Sequence, residues 1–361
     1  MKVAIIGGGA CGLVVANVLQ KNNISYTIYE KNKVGKKILA SGNGKANIYN
    51  TNLFKTAYNN RFAYDLVKEK YLKMVDFFTE IGLYTKTDLE GRTYPYSESS
   101  QTVLNCLIKD LKNLKEEYNI ETIVKKNNKY YLNSEDDGFD YLVLATGSMA
   151  GMIKSKQTNY NAYLDSLNIK TTKLYPSLVG FKLADYPKSL SGVRVKVKAS
   201  LYQKTKLIHE ELGEVIFKDD GISGICILNL SFYYNQLNDK KNCQIVLDLI
   251  PTLDIKDIDI NNLDGLLNVK LAKYLSNIKD PKNALKNLSF DILAPYDFEF
   301  CQVISGGISL KDINYNLSLK TDENIFIGGE LLDVDGVCGG YNLMFAFCSG
   351  LLIGEELCNI K

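Results

Sequence analysis

The order of apolar and polar positions divides the chain into elements. Val3-Ala4-Ile5-Ile6 is an unbroken apolar run and reads as a buried strand. The glycine run Gly7-Gly8-Gly9-Ala10-Cys11-Gly12 follows, then an apolar helix from about Leu13 to Gln20 and a second strand, Tyr26–Tyr29, ending on Glu30. From Phe62 to Gly82 the residues Leu66, Val67, Tyr71, Val75, Phe78 and Ile81 recur at helical steps, and 101–118 predicts another amphipathic helix. Around Ile120–Leu132 two short strands flank the turn Lys126-Asn127-Asn128, and the apolar strand Tyr141–Leu144 runs into Ala145-Thr146-Gly147.

At Tyr175 the texture changes. Val193, Val195 and Val197 alternate with Arg194, Lys196 and Lys198, the period of a strand with one wet face. Strand-like pieces follow at 205–209 and 214–218, then the loop 219–224, a helix through Leu237, a strand over Cys243–Leu249 and short helices within 263–288. The chain returns at 304–308. A strand, Asn324–Ile327, leads to Gly328-Gly329-Glu330, and a final helix carries Ala346, Gly350 and Gly354 at four-residue steps, a small-residue stripe suited to packing on the sheet. The prediction is an α/β protein: residues 1–174 and 304–361 form a nucleotide-binding domain, interrupted over 175–303 by an inserted domain rich in antiparallel strands that lies over the cofactor.

The first thirty residues carry the clearest chemistry. Gly7 allows the tight turn, Gly9 lets backbone approach a pyrophosphate, and Gly12 lets helix and strand pack closely. The helix start, with Ala10 and Cys11, aims unpaired N–H groups at the phosphates. Glu30 can accept hydrogen bonds from an adenosine ribose, with Lys31 beside it. The next loop, with Lys37, Ser41, Gly42, Asn43 and Asn47, can wrap an anion and is expected along the cofactor. Ala145, Thr146 and Gly147 stand where backbone must come close to it. At the far end of the chain Gly329, Glu330, Asp335, Gly340, Tyr341 and Asn342 form a second acid-plus-helix start.

Two such starts imply a long cofactor held at both ends, and FAD fits better than NAD. Lys45 and the helix dipole at 339–342 would stabilise negative charge on a reduced flavin. No second G-x-G-x-x-G lies mid-chain, so a nicotinamide would reach the flavin from solvent, as a transient donor, or the substrate itself is the donor. Tyr341, Lys45 and Asp219 are candidates for polar groups near the substrate; no catalytic residue is otherwise assigned. Arg92 could meet a phosphate or a carboxylate, or form a salt bridge. Asp333-x-Asp335-Gly opens like a calcium loop, but its twelfth position would be Met344, so no metal is expected.

Composition narrows the class. The 361 residues are 46% hydrophobic and 23% charged, which is globular, and 43 basic against 41 acidic side chains argue against a nucleic-acid partner. No apolar run approaches the roughly 20 residues of a membrane span. The strand beginning at Val3 leaves no room for a signal peptide, so a cytoplasmic location is expected. The eight cysteines contain no C-x-x-C pair and read as small core residues; the single histidine, His209, lies in a charged stretch and reads as a surface residue. A small-molecule substrate is expected, and the oligomeric state stays open.

These residues resemble the BaiN-like, or aminoacetone-oxidase-like, family of NAD(P)/FAD-dependent oxidoreductases over nearly the full length. The matching pieces are Gly7–Gly12 with Glu30, the Lys36-Lys37-Ile38-Leu39 to Ser41-Gly42 and Asn47 loop, Gly91-Arg92 with Pro95, Gly221-Ile222-Ser223-Gly224, Ser305-Gly306-Gly307, and Gly329-Glu330 through Asp333–Gly336 and Gly339–Asn342. The resemblance implies a Rossmann-like FAD-binding domain with an inserted strand-rich, β-barrel-like domain carrying a short helical insertion, here about 251–290. It departs from the family at Lys45 and Ala46, where the family loop has Arg and Cys, and at Lys218-Asp219-Asp220, where members often place Thr-His. A histidine proton donor at that point is unavailable. The expected function is an FAD-dependent oxidoreductase exchanging hydride between a small organic substrate and flavin, with NAD(P)H or dioxygen in the other half-reaction. An FAD-dependent enzyme acting on structured RNA and a non-catalytic flavin-binding regulator are the alternatives.

Overall fold

The computed structural model describes residues 1–134, 137–157 and 160–360. They form an α/β fold of two compact units, one made of Met1–Met149, Lys154–Leu174 and Ser305 onward, the other of Ala150–Ile153 and Tyr175–Ile304.

The first unit is built on a six-stranded sheet. Strand β1 (Lys2–Ile6) lies at its centre, parallel to β2 (Ser25–Tyr29) on one side and to Tyr141–Leu144 on the other. Beyond Tyr141–Leu144 comes Asp322–Ile327, also parallel, and then the antiparallel edge Ser318–Leu319. Val3, Ala4 and Ile5 have no exposed surface, as the middle of a sheet covered on both faces requires. Helix α1 (Ala10–Lys21) leaves β1 directly. The helix read over 62–82 spans Arg61–Glu80, where the Asn60 side chain caps the start by accepting from the Ala63 N–H at 2.9 Å.

Residues 101–118 are not one helix: Ser100–Ile108 is helical, and Leu114–Lys115 pairs parallel with Ile28–Tyr29. Leu107, Leu111 and Leu114 keep the helical period, but the free edge of β2 takes up the Asn113 and Lys115 carbonyls, and tertiary pairing wins over local pattern. The small-residue stripe of the C-terminal helix, Tyr341–Asn359, packs on α1 instead of the sheet. A Cβ on Gly350 would stand 2.6 Å from the Cys11 carbonyl, and one on Gly354 2.7 Å from the Val18 Cβ.

The second unit is a closed six-stranded barrel in the order Phe181–Leu183, Gly221–Ser223, Lys206–Phe217, Arg194–Gln203, Cys243–Asp248 and Leu288–Pro295. The pieces read at 205–209 and 214–218 are one strand, Lys206–Phe217, paired along its length with Arg194–Gln203. Glu210, Glu211 and Glu214 interrupt its apolar alternation, and two of them meet Lys198 and Arg194 across the ladder. Gly221–Ser223, read as loop, is a short strand wedged beside Phe181; a Cβ on Gly221 would reach 1.9 Å from the Phe181 carbonyl oxygen. The strand Leu288–Pro295 closes the barrel, where the sequence reading extends the helical part to about 290. The helix Ile225–Asn235 and the short helices Val269–Ser276 and Pro281–Asn287 pack their apolar faces on the barrel core, with Val197, Leu201, Phe217 and Ile245 fully buried. Among the described residues no helix is long and apolar enough to cross a membrane.

Candidate cofactor site

The turn after β1 is fixed by close backbone approach. Gly7 has φ +111, and a Cβ there would come within 2.3 Å of the Ala145 carbonyl oxygen; one on Gly12 would stand 2.0 Å from the Gly7 oxygen. Gly9, which caps α1 with no side-chain hydrogen bond, has open space in front of it. Glu30 ends β2 against this turn, its two carboxylate oxygens accepting from the Gly8 and Asn32 N–H groups at 2.8 Å each. Lys31 is exposed beside it.

The C-terminal helix runs parallel to α1. Gly350 touches the level of Cys11 and Gly354 that of Val18, so both helices point their N-termini the same way. At 1.5 Å per residue, the nine steps from Tyr341 to Gly350 set the second start roughly 13 Å ahead of the first. Two positive dipole ends therefore open on one side of the sheet, staggered along a line.

Between them lie the remaining motifs. The Lys37 ammonium donates to Glu330 Oε2 at 2.6 Å and to the carbonyl and hydroxyl oxygens of Ser148 at 2.8 and 3.0 Å. A Cβ on Gly147 would be 3.7 Å from both Lys37 Nζ and Glu330 Oε2. The Gly329 N–H donates to the buried Ser349 hydroxyl, which fixes the turn carrying Glu330. Asn47 meets the other helix start, its Oδ1 2.7 Å from where a Gly340 Cβ would be, while Asn50 donates to the Gly339 carbonyl at 3.0 Å. Gly42 and Asn43, with φ near +55, curl the intervening loop, and the Ser41 hydroxyl closes it on the Ile38 carbonyl.

Among the described residues, Glu330 Oε1 and Asn47 Oδ1 are buried with no hydrogen-bond partner. A polyol chain and a heterocycle carrying N–H groups supply the donors such oxygens need, and the start of α1 suits an anionic diphosphate. The residues fit an extended dinucleotide such as FAD.

Other candidates are engaged elsewhere. The Tyr341 hydroxyl donates to the Asn52 carbonyl at 2.7 Å inside an aromatic cluster with Phe54 and Tyr58, and burial pushes its pKa up to about 12. Asn342 ties down the loop before the helix, accepting from the Gly336 N–H at 2.8 Å and donating to the Gly336 carbonyl at 2.9 Å. Asp335 is buried, its backbone bracketed by Asn59. Lys45 pairs with Glu98 at 2.8 Å, and Arg92 with Asp88 and Glu90 at 2.8 and 3.0 Å. The Cys11 thiol packs against Gly328 and Ser349, where burial raises its pKa to about 12 and leaves it an inert small group.

In the barrel unit Asp219 accepts from the Ser191 hydroxyl and Asp220 from the Tyr296 hydroxyl at 2.6 Å. His209 stacks on Tyr233, ring centroids 3.6 Å apart, and meets Glu211 at 3.1 Å. Ser148, Ser349, Asn50 and Tyr160 escaped the sequence reading. None belongs to a glycine motif, and only Ser148, directly after Ala145-Thr146-Gly147, had a positional signal.

The HI0933-like protein Rossmann domain matches residues 1–356. The 3-dehydro-bile acid delta(4,6)-reductase of Clostridium scindens is 27% identical, covering 98% of each chain. The ribosomal RNA dihydrouridine synthase of Escherichia coli is 23% identical over 99% of this chain and 98% of its own. Among solved structures, the 3-ketosteroid delta1-dehydrogenase of Sterolibacterium denitrificans superposes with a TM-score of 0.51 at 11% identity over 99% of both chains, which speaks to the fold alone. The chain belongs to the HI0933-like Rossmann family and is a flavin-dependent oxidoreductase.

Proposed function

We propose that the protein binds one FAD along the line from Gly9 to Gly340 and reduces a carbon–carbon double bond conjugated to a carbonyl in a small organic substrate, with NAD(P)H as donor. The observation that carries the cofactor part is the pair of parallel helix starts with the unpartnered Glu330 and Asn47 oxygens between them. The substrate class draws its support from the two relatives, whose names both describe hydrogen added across such a bond.

The chemistry FAD would supply when bound is hydride transfer between nicotinamide and substrate. The chain's own part is to hold and orient. Backbone N–H groups at the start of α1 face the diphosphate, Glu30 holds the adenosine end, and Glu330, kept in place by Lys37 and Ser349, accepts from the polyol. The N-terminus of the final helix presents its dipole to the edge of the ring that gains negative charge. Tyr341, committed to the Asn52 carbonyl, builds this end of the site and is no proton donor.

The decisive experiment mixes the yellow protein anaerobically with NADH or NADPH and then with an enone. The flavin should bleach and then recolour; an enone that leaves the bleached flavin unchanged, across a panel of cyclic 3-oxo substrates, overturns the substrate class. A second reading, reduction of uridine in ribosomal RNA, is favoured by the Escherichia coli relative and opposed by the near-balanced charge. Recolouring by uridine-containing RNA alone would select it.

A further inference from the structure

Tyr160 belongs to none of the motifs above. Its hydroxyl donates to the Thr146 carbonyl at 2.9 Å, while the hydroxyl of Thr146 pairs with that of Tyr163 at 2.8 Å. One short stretch thus holds Thr146 by both backbone and side chain. That segment is where the cofactor site converges. The Gly7 position lies within 2.8 Å of the Thr146 Cα for any added Cβ, and Gly147 faces Lys37 and Glu330. Burial holds the Tyr160 phenol well above its ordinary pKa, and the negative charges of Glu330 and Glu30 push it the same way. Both acids of the site, one from each end of the chain, therefore act on a single ring that the glycine motifs do not include.

We infer that Tyr160 is a positioning residue of the cofactor site: its hydroxyl fixes the Thr146–Gly147 backbone beside the diphosphate. This rests on the FAD reading above. It adds to the site a contact supplied by the 154–174 stretch.

The test uses flavin-stripped full-length protein titrated with FAD and followed by quenching of flavin fluorescence. Tyr160→Ala should raise the Kd by at least about tenfold and Tyr160→Phe, which keeps the ring and loses the hydrogen bond, by at least about threefold. A second readout uses the absence of tryptophan from the chain. Tyr160→Trp installs a lone fluorophore whose emission should shift on adding ADP, which takes no energy transfer from indole. A Kd for Tyr160→Phe changed less than about threefold, or an emission indifferent to ADP, overturns the inference, and Tyr160→Phe decides even if Tyr160→Ala fails to fold. Wild-type protein that binds no FAD would overturn the cofactor reading instead, which keeps the two failures apart.

Discussion

Two buried oxygens, Glu330 Oε1 and Asn47 Oδ1, stand without donors among the described residues. Leaving a buried acceptor unpaired costs about 1–3 kcal/mol, so a ligand that supplies the donors recovers that amount. Glu330→Ala should therefore weaken FAD binding by about 10- to 100-fold in a fluorescence titration. The glycines separate fold from binding. Gly9→Ala meets nothing within 4 Å and should leave the apo melting temperature unchanged while lowering FAD affinity, whereas Gly12→Ala drives its Cβ to 2.0 Å from the Gly7 oxygen and should destabilise the fold itself. Tyr341→Phe should keep turnover and lose about 1 kcal/mol of stability, the worth of one hydrogen bond to Asn52. Glu98, held by Lys45 and Lys86, has its carboxyl pKa lowered to about 2. A lowered folded-state pKa gives stability that is full above the ordinary value of 4.5 and is lost as pH falls toward 2. Lys45→Met should move that carboxyl back up in an NMR titration, with negligible change in stability at pH 7 because the pair is exposed.

At the scale of elements, the pairing of α1 with the C-terminal helix sets the distance between the two helix starts. Gly354→Leu would force Val18 away and should cost about 1–3 kcal/mol in a denaturant melt while weakening FAD binding, because the two starts lose their stagger. What the sequence disclosed follows from where the signal was local. Gly7–Gly12, Glu30 and the hairpin turn at Asn127-Asn128, both with positive φ, were legible because each carries its backbone requirement in its own residue types. The stripe of Ala346, Gly350 and Gly354 announced close packing but not the partner, since small residues fit a helix as well as a sheet. Lys206–Phe217 was split because its central residues face water and carry ion pairs in place of apolar alternation. Leu288–Pro295 did alternate, at Leu288, Phe290 and Ile292, but it follows a helix without a break at Asn287, so the change of period was masked.

For the molecule as a whole, the α/β class and the inserted strand-rich part with its helices were readable from the switch between periods of 3.6 and 2. Closure into a six-stranded barrel came from the family resemblance and not from those periods, because it depends on a strand pair between Phe181–Leu183 and Leu288–Pro295, separated by more than a hundred residues. Ser349 and Tyr160 were invisible because each acts on a backbone group outside its own element, Gly329 and Thr146, with no motif of its own. Whether a single cofactor is gripped by helix starts from both ends of the chain is decided by calorimetric titration of the stripped protein with FAD, ADP and FMN. One FAD should bind per chain, more tightly than either fragment, with Glu30→Gln weakening ADP and FAD but sparing FMN, and Glu330→Gln weakening FMN and FAD but sparing ADP. FAD bound no more tightly than ADP, and indifferent to Glu330→Gln, would contradict that grip.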